Sequence, residues 1–261
     1  MSTEQVRTVR EDGLLIVTLA NPDGNRMNRA VLRGLQEAVA QARKPDVRAV
    51  LVRAEGTVFS LGADVHEMLS EPGDAMVSVI REYIDLIQAI EALPLPTIAA
   101  VHGVCSSGGL EFGLAFDHLW AAAGTKIGFL EPLLGIFPLA GGVQRVASRA
   151  GRARAFEITT AGALYDVETF EKWNIVNRVF AADAFVSESE AFATRLASGP
   201  TKAYDAVKAV LRTWENEGVT AADQATLKMV GPVMTSNDAT AAIKSFIANG
   251  PSRSPRAFSG T

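Results

Sequence analysis

The segment of residues 97–131 constrains the fold more than any other part of the chain. A strand-like apolar run, TIAAV, ends in a turn rich in Gly and Ser, and a nearly all-apolar stretch follows. That stretch holds one carboxylate, Glu111, although a charge is rarely buried unless it is paired, hydrogen-bonded or used in a reaction. A second isolated carboxylate, Glu131, closes a later apolar run. Two such groups on different elements indicate carboxylates that face one cleft.

A structural role is the alternative for both carboxylates. Glu111 would then lie in the first turn of a helix, where an acid stabilises free amides and the helix dipole. A capping box expects Ser or Thr three residues before the Glu, and that position is Gly108. Glu131 precedes Pro132, which favours an extended backbone outside any helix, and strand ends are often exposed to solvent.

The first half of the chain alternates strand-like and helix-like segments. Apolar runs bounded by turn residues predict strands. These strands are predicted at residues 14–20, 48–54, 97–101, 119–123 and 126–130. Apolar residues at helical spacing predict helices. These helices are predicted at residues 28–45 with Asn28 as the N-cap, at 65–69 and at 75–92.

Beyond Gly141 and Gly142 the pattern becomes mostly helical. Helices are predicted at residues 143–150, 153–160, 167–173, 183–198 and 201–217, and in pieces over 221–247, with one strand at 176–180. The chain is therefore predicted to be an α/β protein, with a core of residues 1–197 and a helical C-terminal region of residues 198–261. Such a small region buries little surface alone, so it is expected to pack on the core or on a second subunit.

Composition excludes several classes of function. The 261 residues are 48% hydrophobic, which is enough for a substantial core, and the net charge is −4. Because Lys and Arg form no cluster, nucleic-acid binding is not expected. The chain shows no apolar signal region and no membrane-spanning run, and its single cysteine suits a reducing compartment, so a cytoplasmic protein is expected.

Several motifs of known chemistry are absent from the sequence. Neither the dinucleotide-binding G-x-G-x-x-G pattern nor the P-loop pattern occurs. The serine-hydrolase pattern G-x-S-x-G fails around Ser106, because Val104 stands in the place of its first Gly. A dyad of Cys105 and His102 lacks a third orienting group, so a core cysteine is favoured. The three histidines have no metal-ligand spacing, and no metal site is expected.

Two Gly-containing turns predict a pair of hydrogen-bond donors. Residues 107–109, Ser-Gly-Gly, allow a close approach of the backbone to a ligand at the start of a helix. The turn FSLGAD at residues 59–64 can present one further amide. Two amides directed at one oxygen form an oxyanion hole, which stabilises the enolate of a thioester.

Three segments together resemble one protein family. They are FSLGADVHEM at residues 59–68, PTIAAVHGVCSSGGLEFGLAFD at 96–117 and EPLLGIFPLAGGVQR at 131–145. Their order and spacing are similar to those of the enoyl-CoA hydratase/isomerase (crotonase) superfamily, and the tail PRAFSG at 255–260 resembles the usual ending of that family. The resemblance implies a spiral of ββα turns, a helical C-terminal region that trimerises, often into a dimer of trimers, and a coenzyme A thioester substrate.

The resemblance also implies roles for individual residues. Ala63 and Gly108 match the positions whose amides form the oxyanion hole, and Glu111 and Glu131 match the two catalytic glutamates of the hydratases. The residues implied in substrate or coenzyme A binding are Arg26, Leu61, Ala63, Asp64, Val65, Val104, Gly108 and Phe246.

The sequence departs from the family pattern at four places. His66 replaces a common Lys, Ser107 a common Gly, and Leu139 the first Gly of P-G-x-G-G. Residues 248–250, Ala-Asn-Gly, replace a basic run after Phe246, which leaves the contact of a neighbouring subunit with the coenzyme A 3′-phosphate open.

The resemblance favours a trans-2-enoyl-CoA hydratase. Glu111 would position and deprotonate water, Glu131 would protonate C2, and no cofactor is expected beyond the coenzyme A of the substrate. A double-bond isomerase of the same fold is the first alternative, in which one carboxylate moves a proton between C2 and C4. A non-catalytic scaffold or RNA-binding member of the family is the second, although the acidic net charge disfavours RNA and a scaffold needs neither glutamate.

Overall fold

The computed structural model describes residues 4–70, 73–250 and 258–261, which form two β-sheets and ten α-helices. The strands are β1 Val6–Glu11, β2 Leu14–Leu19, β3 Ala49–Ala54, β4 Thr97–Val101, β5 Val104–Ser106, β6 His118–Ala122, β7 Lys126–Gly128, β8 Leu164–Asp166 and β9 Arg178–Phe180. The helices are α1 Arg29–Ala42, α2 Val65–Ser70, α3 Gly73–Glu91, α4 Gly108–Gly113, α5 Gly142–Thr160, α6 Val167–Lys172, α7 Phe185–Ala197, α8 Thr201–Glu217, α9 Val219–Met234 and α10 Asn237–Asn249. No helix in these described ranges is both long and apolar enough to cross a membrane.

The larger sheet has six strands in the order β1-β2-β3-β4-β6-β9. All its neighbours pair in parallel except β1, which is antiparallel to β2. Strand β4, Thr-Ile-Ala-Ala-Val, is buried at every position, as expected for a parallel strand covered on both faces. Helices α1 and α3 cover one face of this sheet and contribute Leu35 and Ile87 to the main apolar core.

The smaller sheet has three strands in the order β5-β7-β8. Strands β4 to β7 therefore alternate between the two sheets, since β4 and β6 lie in the larger one while β5 and β7 lie in the smaller one. This alternation produces repeated strand-strand-helix turns. The expected α/β core followed by a helical C-terminal region is present.

Some elements differ from the sequence-based expectation. Strand β1 was not predicted, because four of its six residues are polar or charged and it lies mostly exposed at the edge of the sheet. Strands β5 and β8 have three residues each, which is too short to show a period. The expected extended backbone at Glu131 is wrong, because Glu131–Leu134 forms a 3₁₀ helix. Pro132 is compatible with this helix since its missing N–H falls in the first turn.

Two basic side chains, those of Arg48 and Lys208, connect the helical C-terminal region to the core. The Arg48 guanidinium donates to the carbonyl oxygens of Gly199 at 2.5 Å and of Phe258 at 2.6 Å. Lys208 of α8 donates to the carboxylate of Asp117 at 2.7 Å. Residues 255–257 of the family-like tail lie outside the described residues. The division into residues 1–197 and 198–261 stays a prediction.

A short parallel bridge places two loops side by side. Ser60 pairs with Cys105 of β5, with hydrogen bonds from Ser60 N to Val104 O at 3.1 Å and from Ser106 N to Ser60 O at 3.0 Å. The chain then continues from Ser60 towards Ala63 and from Ser106 towards Gly108. The backbones of these two loops therefore run next to each other beyond the bridge.

Gly103, in the turn before β5, should be essential for this bridge. Its φ is +64°, and a Cβ added there would lie 1.9 Å from the carbonyl oxygen of Thr57, so the two loops would have to separate. We expect Gly103→Ala to lower the free energy of unfolding by roughly 3 kcal/mol or more. Gly56→Ala is the matched control, because its φ is +82° and nothing lies within 4 Å of an added Cβ. The control should lose only about 1 kcal/mol in denaturant unfolding. Equal losses at both positions would contradict the close approach.

Candidate active site

A cavity of about 330 Å³ lies where the two loops meet. Its walls come from the segment before and at the start of α1, the loop into α2, the first turns of α3, the start of α4 and the segment around residues 130–140. The aliphatic side chains of the wall include Leu32, Met68, Met76, Val79, Ile80, Leu133, Leu134, Ile136 and Leu139. An apolar cavity with a few polar groups is the usual form of a small-molecule site.

The amides of Ala63 and Gly108 lie together at this cavity. A Cβ built on Gly108 would be 3.3 Å from the nitrogen of Ala63, which shows how closely the two peptides approach. Ala63 forms a parallel bridge with Met27 in which Met27 N donates to Gly62 O, so the Ala63 N–H points to the other side. Neither amide donates a hydrogen bond to any described residue. The pair can therefore hold one ligand oxygen, as an oxyanion hole does.

Glu111 is a buried carboxylate with one oxygen held and one oxygen free. Its side chain lies in the first turn of α4, only 3% exposed, and lines the cavity. The amides of Ala140 and Gly142 both donate to Oε1 at 2.8 Å, while Oε2 has no partner among the described residues. The held oxygen fixes the side chain, and the free oxygen is available to a substrate or to water.

Glu131 is the second buried carboxylate, and Ser107 holds it. Glu131 is 6% exposed and lines the same cavity. Ser107 Oγ donates to Glu131 Oε2 at 3.0 Å and accepts from the amide of Leu130 at 3.2 Å. The structure thus brings both predicted glutamates together with both predicted amides.

The electrostatics of the cavity favour protonation of these carboxyl groups. Burial raises the pKa of Glu111 from the ordinary 4.5 to about 7, against the lowering effect of the Gly142 amide, and the nearby Glu131 raises it further. Burial also raises the pKa of Glu131, while the hydrogen bond from Ser107 lowers it. A pair of this kind can hold one proton near neutral pH and exchange it with a bound molecule.

Tyr83 is a residue of the site that sequence reasoning missed. Its hydroxyl is buried and donates to the carbonyl oxygen of Gly108 at 2.6 Å, which fixes the peptide next to the oxyanion amide. Burial raises the pKa of Tyr83 well above its usual range, so the phenol stays a donor. In the sequence, Tyr83 is one member of the apolar stripe of α3, and nothing separates it from a core residue.

The residues that the resemblance implies in substrate binding divide into two groups. Those that line the cavity are Arg26, Leu61, Ala63, Asp64, Val65 and Gly108. Asp64 has a structural use as well, because its Oδ1 accepts from the amide of His66 at 2.9 Å at the start of α2.

Val104 and Phe246 do not line the cavity of this single chain. The carbonyl of Val104 accepts from the amides of Phe59 and Ser60 in the short bridge. Phe246 lies on α10, where it is 57% exposed. Their roles in coenzyme A binding stay predictions, and for Phe246 the role requires a second subunit.

Cys105 does not take part in the cavity. Its side chain is completely buried in the core, and burial raises the pKa of its thiol. The His102 ring instead contacts the carbonyl of Gly56 at 3.1 Å. These surroundings agree with the preference for a core cysteine over a Cys-His dyad.

Comparison with known proteins identifies the family. A family model described as enoyl-CoA hydratase/isomerase matches residues 9–252. The chain belongs to the enoyl-CoA hydratase/isomerase family. A relative named probable enoyl-CoA hydratase EchA17, from Mycobacterium tuberculosis, is 30% identical over 201 residues, or 77% of each chain. Another, named probable enoyl-CoA hydratase echA8, from Mycobacterium bovis, is 30% identical over 226 residues, covering 84% of this chain and 87% of the relative.

Solved structures of this family have the same architecture. An enoyl-CoA hydratase subunit from Geobacillus kaustophilus superposes with a TM-score of 0.91 at 28% identity, over 99% of this chain and 100% of the other. An enoyl-CoA hydratase from Mycobacterium smegmatis gives a TM-score of 0.90 at 26% identity, over 98% and 99%. The predicted crotonase-like α/β fold with a helical C-terminal region is confirmed.

The raised pKa of Glu111 should appear in the stability of the protein. Because the folded state holds a proton on Glu111 that the unfolded state has released, stability falls as pH rises from about 4.5 to 7. Glu111→Gln keeps an oxygen that accepts from Ala140 and Gly142 and removes this loss. We expect the variant to match wild type near pH 4 and to exceed it by about 3 kcal/mol at pH 8.

Denaturant unfolding at a series of pH values measures this difference. Glu37→Gln is the control, because Glu37 is exposed on α1 and should leave the pH dependence of stability unchanged. A difference between Glu111→Gln and wild type that is constant with pH would refute the buried, protonated carboxyl group.

Proposed function

We propose that this member of the family is a trans-2-enoyl-CoA hydratase, which adds water across the C2=C3 bond of an enoyl-CoA thioester. The observation that carries the proposal is the presence in one cavity of two buried carboxyl groups and of two amides that have no hydrogen-bond partner among the described residues. The names of the 30% identical relatives support the same reaction class.

The oxyanion hole is proposed to bind the thioester carbonyl oxygen. As water adds to C3, negative charge develops on that oxygen, and the Ala63 and Gly108 amides stabilise it in a site shielded from solvent. Tyr83 supports this role indirectly, because its hydrogen bond to Gly108 O restrains the Gly108–Gly109 peptide, which directly follows the Gly108 amide.

The two glutamates are proposed to divide the proton transfers. Glu111 orients water with its free Oε2 and accepts a proton, while Glu131 donates a proton to C2 from a different element. Burial raises the pKa of both carboxyl groups, and the charge of Glu131 raises the pKa of Glu111 further, which favours a singly protonated pair near pH 7. The pair, rather than either residue alone, therefore holds the proton that the reaction consumes and regenerates.

The remaining walls are assigned to the rest of the substrate. The aliphatic side chains of α3 and of residues 133–139 suit an acyl chain, and Arg26 suits the phosphates of coenzyme A. Each step of the proposed reaction uses a carboxylate, an amide or water. The proposal therefore includes no cofactor apart from the coenzyme A of the substrate.

Hydration of crotonyl-CoA tests the assigned roles. Glu111→Gln and Glu131→Gln preserve shape but remove proton transfer, so each should lower kcat by roughly 10²- to 10⁴-fold with little change in substrate affinity. The loss of conjugated thioester absorbance measures the rate, and Glu37→Gln serves as the control. Full activity in Glu131→Gln would refute the hydratase mechanism that uses both glutamates. Conversion of β,γ-enoyl-CoA without any hydration would instead identify the isomerase.

We further propose that the chain assembles as a homotrimer or as a dimer of trimers. Helices α8, α9 and α10 bury few of their own side chains in the single chain. Large apolar side chains on these helices remain exposed, among them Leu211, Trp214, Leu227, Val230 and Ile247. Apolar surface of this extent is typical of an interface between subunits.

Light scattering should therefore give the mass of three or six chains. The same sample, diluted to concentrations on the order of the Kd, should dissociate with a loss of thermal stability, because the helices lose their apolar cover. A folded monomer at micromolar concentration with unchanged stability would contradict the assembly.

A further inference from the structure

Ser107 occupies a backbone position that the hydratase reaction does not explain. It links strand β5 to helix α4 with φ 53° and ψ −130°, a conformation that side chains other than Gly rarely adopt. The strain of such a residue is on the order of 1–3 kcal/mol, and strain of this kind accumulates at functional sites. Ser107 is half-buried and lines the cavity.

The turn has the geometry of a nucleophile elbow, although the sequence lacks the full motif. In such an elbow a strained serine between a strand and a helix projects its hydroxyl into the site. With Ser107 as the serine of the motif, Gly109 stands at the second Gly and Cys105 at the first. A Cβ on Gly109 would lie 2.5 Å from Ser60 Cβ, so this position requires Gly. The sequence motif was tested only around Ser106, and the backbone angles place the elbow at Ser107.

The groups around Ser107 Oγ are those that an attacking hydroxyl needs. The residue after it, Gly108, carries an amide with no partner in the described part of the chain, and Ala63 on the neighbouring loop carries the second such amide. Oγ donates its proton to Glu131 Oε2 at 3.0 Å, within reach of a general base. The amide of Leu130 occupies one lone pair of Oγ, which leaves the other for attack.

We infer that the chain has a second activity, the hydrolysis of acyl-CoA thioesters through an ester of Ser107. The inference rests on the proposed function only for the binding of a coenzyme A thioester with its carbonyl oxygen at Ala63 and Gly108. It requires no C2=C3 double bond, so saturated acyl-CoA thioesters are substrates.

The reaction proceeds in two balanced steps. Ser107 Oγ attacks the thioester carbon while its proton passes to Glu131, and the Ala63 and Gly108 amides hold the oxyanion. The C–S bond then breaks, and the leaving sulfur takes the proton from Glu131, so free coenzyme A and an acyl-Ser107 ester result. Water attacks the ester, its proton passes through Glu131 to Ser107 Oγ, and a carboxylic acid leaves.

Glu131 is suited to this role by its surroundings. Burial raises its pKa, which makes the ionised form a stronger base than an exposed glutamate. The same residue serves hydration when the bound thioester is unsaturated. A saturated thioester can therefore only be hydrolysed, whereas an unsaturated one can undergo either reaction.

Butyryl-CoA tests the inference, because it is saturated and cannot be hydrated. We expect the wild-type protein to release free thiol from butyryl-CoA, measured with a thiol reagent. Intact-protein mass spectrometry during turnover should show a gain equal to one butyryl group, located on the peptide that contains Ser107.

Two variants distinguish an effect of the Ser107 hydroxyl on thiol release from an effect on folding. Ser107→Gly removes Oγ and relieves the positive φ, so the protein should stay folded while thiol release falls on the order of 10²-fold or more. Ser106→Ala is the matched control. Ser106 is 1% exposed, and its Oγ has no hydrogen-bond partner among the described residues, so thiol release should persist.

The outcomes distinguish this inference from the proposed hydratase. Absence of thiol release from butyryl-CoA, or unchanged release in Ser107→Gly, overturns the acyl-serine route even if crotonyl-CoA is hydrated. Thiol release that requires Ser107, together with no hydration of crotonyl-CoA, supports the route and refutes the hydratase.

Discussion

The parallel bridge between Ser60 and Cys105 is the interaction on which the site depends. It aligns two loops that are distant in sequence, so that the next turns place the Ala63 and Gly108 amides side by side. Both N–H groups remain without a partner in the described residues, which is costly away from water. A pair of such donors is stable only beside a cavity that water or a ligand can enter. The bridge that aligns the two amides therefore requires the cavity beside them.

Several residues that meet at the cavity were predictable from the sequence, because they are exceptions to ordinary patterns. Glu111 and Glu131 stood out as isolated charges in apolar runs, and both line the cavity. Gly108 stood out as part of a turn that allows a close backbone approach. The alternation of strands and helices also predicted the α/β class, since periods of two and of 3.6 residues differ clearly over long segments.

Other features depend on geometry that one sequence does not encode locally. Tyr83 has the spacing of a core residue, and only the packed structure places its hydroxyl on Gly108. The angles of Ser107 are set by the strand before it and the helix after it, so the hydrogen bond to Glu131 was not predictable. The start of a 3₁₀ helix at Glu131 overrode the local preference that Pro132 indicates. Phe246 shows a further limit, because its predicted role involves a second chain.

The floor of the cavity is more deeply buried than the part of its wall that α2 forms. The floor, with Gly108 and Glu111, belongs to α4, whose residues are all buried. Helix α2 on the wall has no buried residue and is held at its start by Asp64 and by the contact of Glu67 with the amide of Arg29. Substitutions in α2 can therefore reshape the cavity without disturbing the core. In evolutionary terms, the wall can diverge while the floor is retained, because the shape of the cavity and the folding of the chain depend on different residues.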